Sequence, residues 1–155
     1  MVRRGPRADL VRRRSWSSDV LALGGLILIG LGLYFTFGRP ALLPEDVRYI
    51  STTLSEIRAS VPGLESWLEK VFWVMGGYML ATGLLTSTMA LTLLRERRRG
   101  MAVVVALSGL SSIGWMAAVN FILDSDFKWL ILGLALPWPV SLVLLHVEKP
   151  WISGR

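Results

Sequence analysis

Four stretches of this chain contain no Asp, Glu, Lys or Arg: Val20–Phe37, Val71–Leu94, Met101–Leu123 and Trp129–Val147. Nothing else constrains the fold as strongly. At ~1.5 Å of rise per helical residue, each run is long enough to cross a hydrocarbon core of ~30 Å. Inside lipid every backbone N–H and C=O must find a partner within the protein, which leaves helices or closed barrels. Barrel strands alternate apolar and polar residues, and these runs do not alternate. The runs therefore predict an all-α polytopic membrane protein with four transmembrane helices, about 20–37, 71–94, 101–123 and 129–147, in an antiparallel bundle. Composition agrees: 53% of the 155 residues are hydrophobic and only 18% are charged, against roughly a quarter charged in soluble domains.

The charges outside the runs predict orientation. Arg3, Arg4, Arg7, Arg12, Arg13 and Arg14 precede the first run, and the link between the second and third reads "RERRRG" (Arg95–Gly100). Short basic segments stay cytoplasmic. The third link, "DSDFK" (Asp124–Lys128), is acidic, and the first link mixes five acids with four bases. The pattern predicts cytoplasmic termini, with a basic N-terminal segment over 1–19 and a tail over 148–155. An apolar run after arginines also describes a secretory signal, but signals have shorter apolar cores and small residues at the cleavage site. The first run ends in Tyr34, Phe35 and Phe37 and reads as an uncleaved anchor. The preference for Arg over Lys is the composition of a GC-rich bacterial genome, so the expected location is the bacterial inner membrane. The basic segments are read as topogenic and as contacts for anionic lipid headgroups, not as a nucleic-acid interface.

In the first link, Pro44 followed by Glu45 and Asp46 is a helix-start signal. Val47, Ile50, Leu54 and Ile57 then recur at helical spacing. This predicts an amphipathic outer helix over 44–59, ended by "SVPG" (Ser60–Gly63), with a second amphipathic stretch from Leu64 running into the second span.

Helices in lipid associate through close backbone approach and hydrogen bonds, so small residues mark contact faces. The expected packing residues are Gly25 and Gly32 in span one, Gly77 and Ala81 in span two, and Gly114 and Ala118 in span three. Asp19, after Ser17 and Ser18, reads as a cap of the first span.

Intramembrane ionisable groups would be the default functional site, and none falls within a run. There is no cysteine, no His/carboxylate cluster for a metal, no nucleophile–base set and no phosphate-binding loop. The cofactor expectation is therefore none, with His146 as the sole weak candidate ligand. Tyr78 and Asn120 are polar residues expected in the outer half of their spans. "ALPWPVS" (Ala135–Ser141) places Pro137, Trp138 and Pro139 mid-span. Two prolines there remove donors for the carbonyls of Gly133 and Ala135, which makes the element either a structural kink filled by Trp138 or a broken helix lining a cavity. Ser141 and the serines of span three are the expected partners of the freed carbonyls.

The succession "GLGLYFTFGRPALL" (Gly30–Leu43), "GGYMLATGLL" (Gly76–Leu85), an Arg-rich turn and "NFILDSD" (Asn120–Asp126) resembles small uncharacterised four-helix bacterial membrane proteins of the DoxX-like families. The resemblance implies a four-helix inner-membrane protein and carries no catalytic residue. The long basic N-terminus and the Pro-Trp-Pro element depart from that pattern. The leading expectation is a non-enzymatic accessory subunit or scaffold that acts through helix–helix contacts with a membrane-protein partner or a second copy. The alternative is a small oligomeric transporter or channel using the broken fourth helix.

Overall fold

The computed structural model describes residues 15–148, and every regular element among them is helical. The arginines at positions 3 to 14, and Trp151 in the tail, lie outside the described residues. Four helical stretches are long and apolar enough to cross a membrane: Trp16–Phe37, Leu64–Leu94, Met101–Ile122 and Lys128–Val147. Span one is α1 (Trp16–Phe37). Span two is α4 (Leu64–Met89) continued by a π-helical segment, Ala90–Leu94. Span three is α5 (Met101–Gly109), a second π-helical segment (Leu110–Gly114) and α6 (Trp115–Ile122). Span four is α7 (Lys128–Ala135) followed, after Leu136, by α8 (Pro137–Val147).

Between spans one and two stand two short helices, α2 (Pro44–Tyr49) and α3 (Leu54–Ser60), in place of one helix over 44–59. The break has a local cause. Thr53 and Glu56 form a capping box that starts α3 afresh: the Thr53 hydroxyl accepts the Glu56 N–H and the Glu56 carboxylate accepts the Thr53 N–H. Ser51 turns the chain at φ 57°. The apolar stripe read across 47–57 is thereby divided, leaving Ile57 buried and Ile50 half exposed.

Span one occupies the centre, packing along span two on one side and against α8 on the other. Span three packs on span four, α5 against α8 and α6 against α7. The order around the molecule is thus two, one, four, three. Spans two and three are joined by a short link, the kind that ordinarily makes helices antiparallel neighbours. They share no substantial interface, and the space between them is a cavity.

The seam of spans one and two is set by glycines. A Cβ at Gly83 would lie 2.6 Å from the Gly25 carbonyl oxygen, and one at Gly32 would lie 2.8 Å from that of Gly76. On each helix the two glycines are seven residues, two turns, apart, and the pairing matches 25 with 83 and 32 with 76, so these two helices run in opposite directions. Gly25 and Gly32 are contact residues as expected. Their partners are Gly76 and Gly83, however, and not Gly77 and Ala81. Nothing lies within 4 Å of a Cβ placed on Gly77, and Ala81 is exposed. Span three shows the same displacement by one residue: Val105, Gly109, Ile113 and Ala117 are buried, whereas Ala118 is exposed and Gly114 sits in the π segment near its own helix. One residue is 100° of helix, enough to turn a contact face away from the chain.

At the end of the molecule bearing Arg95–Gly100, one carboxylate ties the start of span one and the end of span four to the link between spans two and three. Glu148, just beyond α8, accepts the Ser17 N–H (3.0 Å) and hydroxyl (2.9 Å), and the Arg97 guanidinium (2.8 Å). It therefore caps α1, the role expected of Asp19. Asp19 instead receives the Arg95 guanidinium at 2.7 Å. Burial of the Glu148 carboxyl pushes its pKa up, but the Ser17 amide and hydroxyl, the Arg97 charge and the Ser15 hydroxyl outweigh that and hold it below the usual range. Gly100, at φ 85°, makes the left-handed turn into span three, where any side chain would be strained.

Candidate functional site

The Pro-Trp-Pro element is a packed joint. Trp138 is 3% exposed and lies between the backbones of α1 and α5. Both Gly24 and Gly109 face its indole, and a Cβ on Gly24 would come within 2.9 Å of the ring. Pro137 is buried beside it and Pro139 is exposed. The helix is not opened: Leu136 keeps right-handed dihedrals, and its N–H tightens onto the Gly133 carbonyl at 3.2 Å. The expected serine partners are engaged elsewhere. Ser141 donates to the Ser17 carbonyl of α1 at 2.8 Å, and Ser108, Ser111 and Ser112 donate to carbonyls of their own span. Trp138 thus fills the space between α1 and α5 at the start of α8. His146 is exposed on the last turn of α8, and no group of three or more His, Cys, Asp or Glu suited to a metal occurs among the described residues.

Tyr78 and Asn120 lead to a different place. Both line a cavity of about 780 Å³ in the half of the molecule remote from Arg95–Gly100, between span two and span three, with residues of α1 and α7 contributing to its wall. They do not bond to one another. The Asn120 amide donates to the Met116 carbonyl at 2.9 Å, and Tyr78 is 73% exposed at the rim, as is much of Trp115. The π segment of span three supplies Ser111, Ser112 and Ile113 to the lining. Such segments are local irregularities that recur at functional sites.

Most of the wall is apolar or aromatic: Leu28, Phe35, Phe72, Met75, Met79, Met116 and Ile131 are representative. Part of the lining is charged, and sequence reasoning missed this. Arg39, Glu45 and Asp46 from the segment around α2 all line the cavity. Arg39 is stacked over Phe72, 3.7 Å from the ring centre, and pairs with Asp46 at 3.2 Å. It also donates to the Pro40 carbonyl at 2.9 Å. Glu45 is 4% exposed and accepts one hydrogen bond, from the Ser125 hydroxyl at 3.2 Å. The third link is tied to α2 a second time by Arg48, which reaches Asp126 (3.1 Å) and the Asp124 carbonyl (3.1 Å). Glu45 and Asp46 read in the sequence as helix-start acids; only the docking of α2 onto the third link shows that one of them is buried.

The arrangement is a helical protein with four helices long and apolar enough to cross a membrane, and a cavity with a mostly apolar wall that includes Arg39, Glu45 and Asp46. Comparison with protein families, curated proteins and solved structures finds no match in any of the three.

Proposed function

We propose that this is a non-enzymatic membrane protein of the bacterial inner membrane, an accessory subunit or scaffold that works through helix contacts its own chain leaves unused. The observation that carries the reading is the outward face of span two. Gly77 and Ala81, four residues apart, form the kind of small-residue surface on which helices associate in lipid, yet among the described residues nothing lies within 4 Å of a Cβ placed on Gly77, and Ala81 is exposed. Ala118 repeats the arrangement on span three. In this reading the four spans form an antiparallel bundle and the termini are cytoplasmic. The arginine-rich link supports that orientation, with Arg98 and Arg99 exposed toward anionic headgroups. The grouping with DoxX-like families belongs to the same proposal and is supported by the glycine placement of spans one and two.

The test is purification in a gentle detergent followed by native mass spectrometry. Wild-type protein is expected to retain a defined partner, an unlike subunit or a second copy. Gly77→Leu with Ala81→Leu is expected to release it while thermal stability is kept. A wild-type protein that is monomeric and alone at every detergent concentration refutes the reading. The cavity favours a second reading, a small transporter or channel working as an oligomer, with Tyr78 and Asn120 on its path; solute-dependent stability of a homo-oligomer would support it.

A further inference from the structure

We infer that the cavity between spans two and three is a binding site for a hydrophobic organic cation, whose charge is held by Glu45. The inference stands on the cavity and not on the outward face of span two, so the fate of the partner reading does not decide it. It begins from an imbalance of charge. Glu45 is 4% exposed, and its one hydrogen bond comes from Ser125, itself 2% exposed. A buried carboxylate is costly unless paired, and the nearby cations are engaged elsewhere. Arg39 is held by Asp46, by the Pro40 carbonyl and by the face of Phe72. Arg48 is turned to Asp126 and the Asp124 carbonyl. Among the described residues Glu45 has no ion-pair partner within 4.0 Å. With Arg39 and Asp46 cancelling, the cavity lining carries one uncompensated negative group, Glu45.

The rest of the lining fits the same ligand. Rings of Tyr34 and Tyr78, neither of them stacked on Arg39, are within the wall, and aromatic faces attract cations. Met75, Met79 and Met116 supply an adaptable apolar surface for the body of the molecule. At about 780 Å³ the space lies within the range of sites that enclose a drug-sized ligand, roughly 300–1,000 Å³. An anion would meet the Glu45 carboxylate, and a neutral apolar molecule would leave it unpaired.

The probe is tetraphenylphosphonium, with neutral triphenylphosphine oxide as its comparison, titrated into the intact purified chain by equilibrium dialysis and by thermal shift. Saturable binding of the cation is expected, with the neutral compound much weaker. Glu45→Gln should weaken cation binding by roughly 30-fold or more, the low end of what removing one partner of a buried charge pair costs. Glu69→Gln, far less buried, should not change it. Glu45→Asp keeps the charge and should bind within about tenfold of wild type, which separates loss of the carboxylate from loss of the fold. Equal binding of the cation and the neutral compound overturns the inference, as does undiminished cation binding by Glu45→Gln, or no cation binding by wild type. A Glu45-dependent aminophospholipid, seen in native mass spectra and not displaced by the cation, would overturn the assignment to an organic cation.

Discussion

Two glycines of span two, Gly83 and Gly77, should respond differently to the same substitution. At Gly83 a methyl group would sit 2.6 Å from the Gly25 carbonyl oxygen and 2.8 Å from the Ile29 backbone nitrogen. Both are backbone atoms, so no side chain can swing aside. Ordinary contact begins at 3.4 Å, and the helices must part locally by about 0.8 Å (3.4 − 2.6). A gap of that size forfeits roughly a quarter to a half of the dispersion energy of each contact along the seam. Overpacking of this kind costs about 1–3 kcal/mol, and replacing a helical glycine by alanine returns about 1 kcal/mol. Gly83→Ala should therefore be destabilising by up to about 2 kcal/mol after that offset, and should lie about 1–3 kcal/mol below a glycine-to-alanine change at an open position of the same helix. At Gly77 the methyl meets nothing within 4 Å, so only the propensity gain remains. Gly77→Ala should be neutral or stabilising by up to about 1 kcal/mol. The assay is reversible unfolding in mixed micelles at rising denaturing-detergent fraction, followed by circular dichroism, with both variants in the intact chain. Gly83→Ala as stable as Gly77→Ala, or a loss at Gly77 matching that at Gly83, would refute the glycine seam.

Three further outcomes follow from the same coordinates. The Glu148 carboxyl is held below its ordinary pKa in the folded protein; its contribution to stability is therefore complete above the unfolded carboxyl pKa and is lost as pH falls through the lower folded value, and Glu148→Gln should flatten that acid limb in pH-dependent unfolding. Trp138→Ala should be destabilising by about 3–5 kcal/mol because it empties the space between Gly24 and Gly109, whereas exposed Pro139→Ala should stay within about 1 kcal/mol, both read by thermal unfolding. In sealed cells, cysteines placed at exposed Ser55 and Asp126 should react with an impermeant maleimide from outside while one at Gly100 does not; labelling at Gly100 would reverse the proposed orientation.

Hydropathy along the chain was enough to locate the spans, because the need to satisfy backbone groups in an apolar medium acts on each segment separately. The first charge-free run begins at Val20 and the helix at Trp16; the extra turn is polar, and its amide is capped by a residue 131 positions away. Leu64 as the start of the second helix was readable from its amphipathic stretch. The division of 44–59 was not read, although Thr53 and Glu56 carry the capping signal; the helical spacing of Val47, Ile50, Leu54 and Ile57 bridged the break and masked it.

Which face of a span meets its neighbour was beyond the sequence. In a soluble helix the buried face is apolar and the other polar, but lipid is as apolar as a packed interface, so Gly76 and Gly77 look alike until the crossing geometry chooses between them. The same holds for Gly109 against Gly114, which the indole of Trp138 separates. Charged residues in the links pose the converse problem. Glu45 and Asp46 read as helix-start acids and Glu148 only as part of the tail, since local sequence says nothing about what docks on them. Only the folded chain brings Ser125 onto Glu45 and Arg97 with the start of α1 onto Glu148, because those contacts join segments that are remote in sequence and close only after the spans have packed.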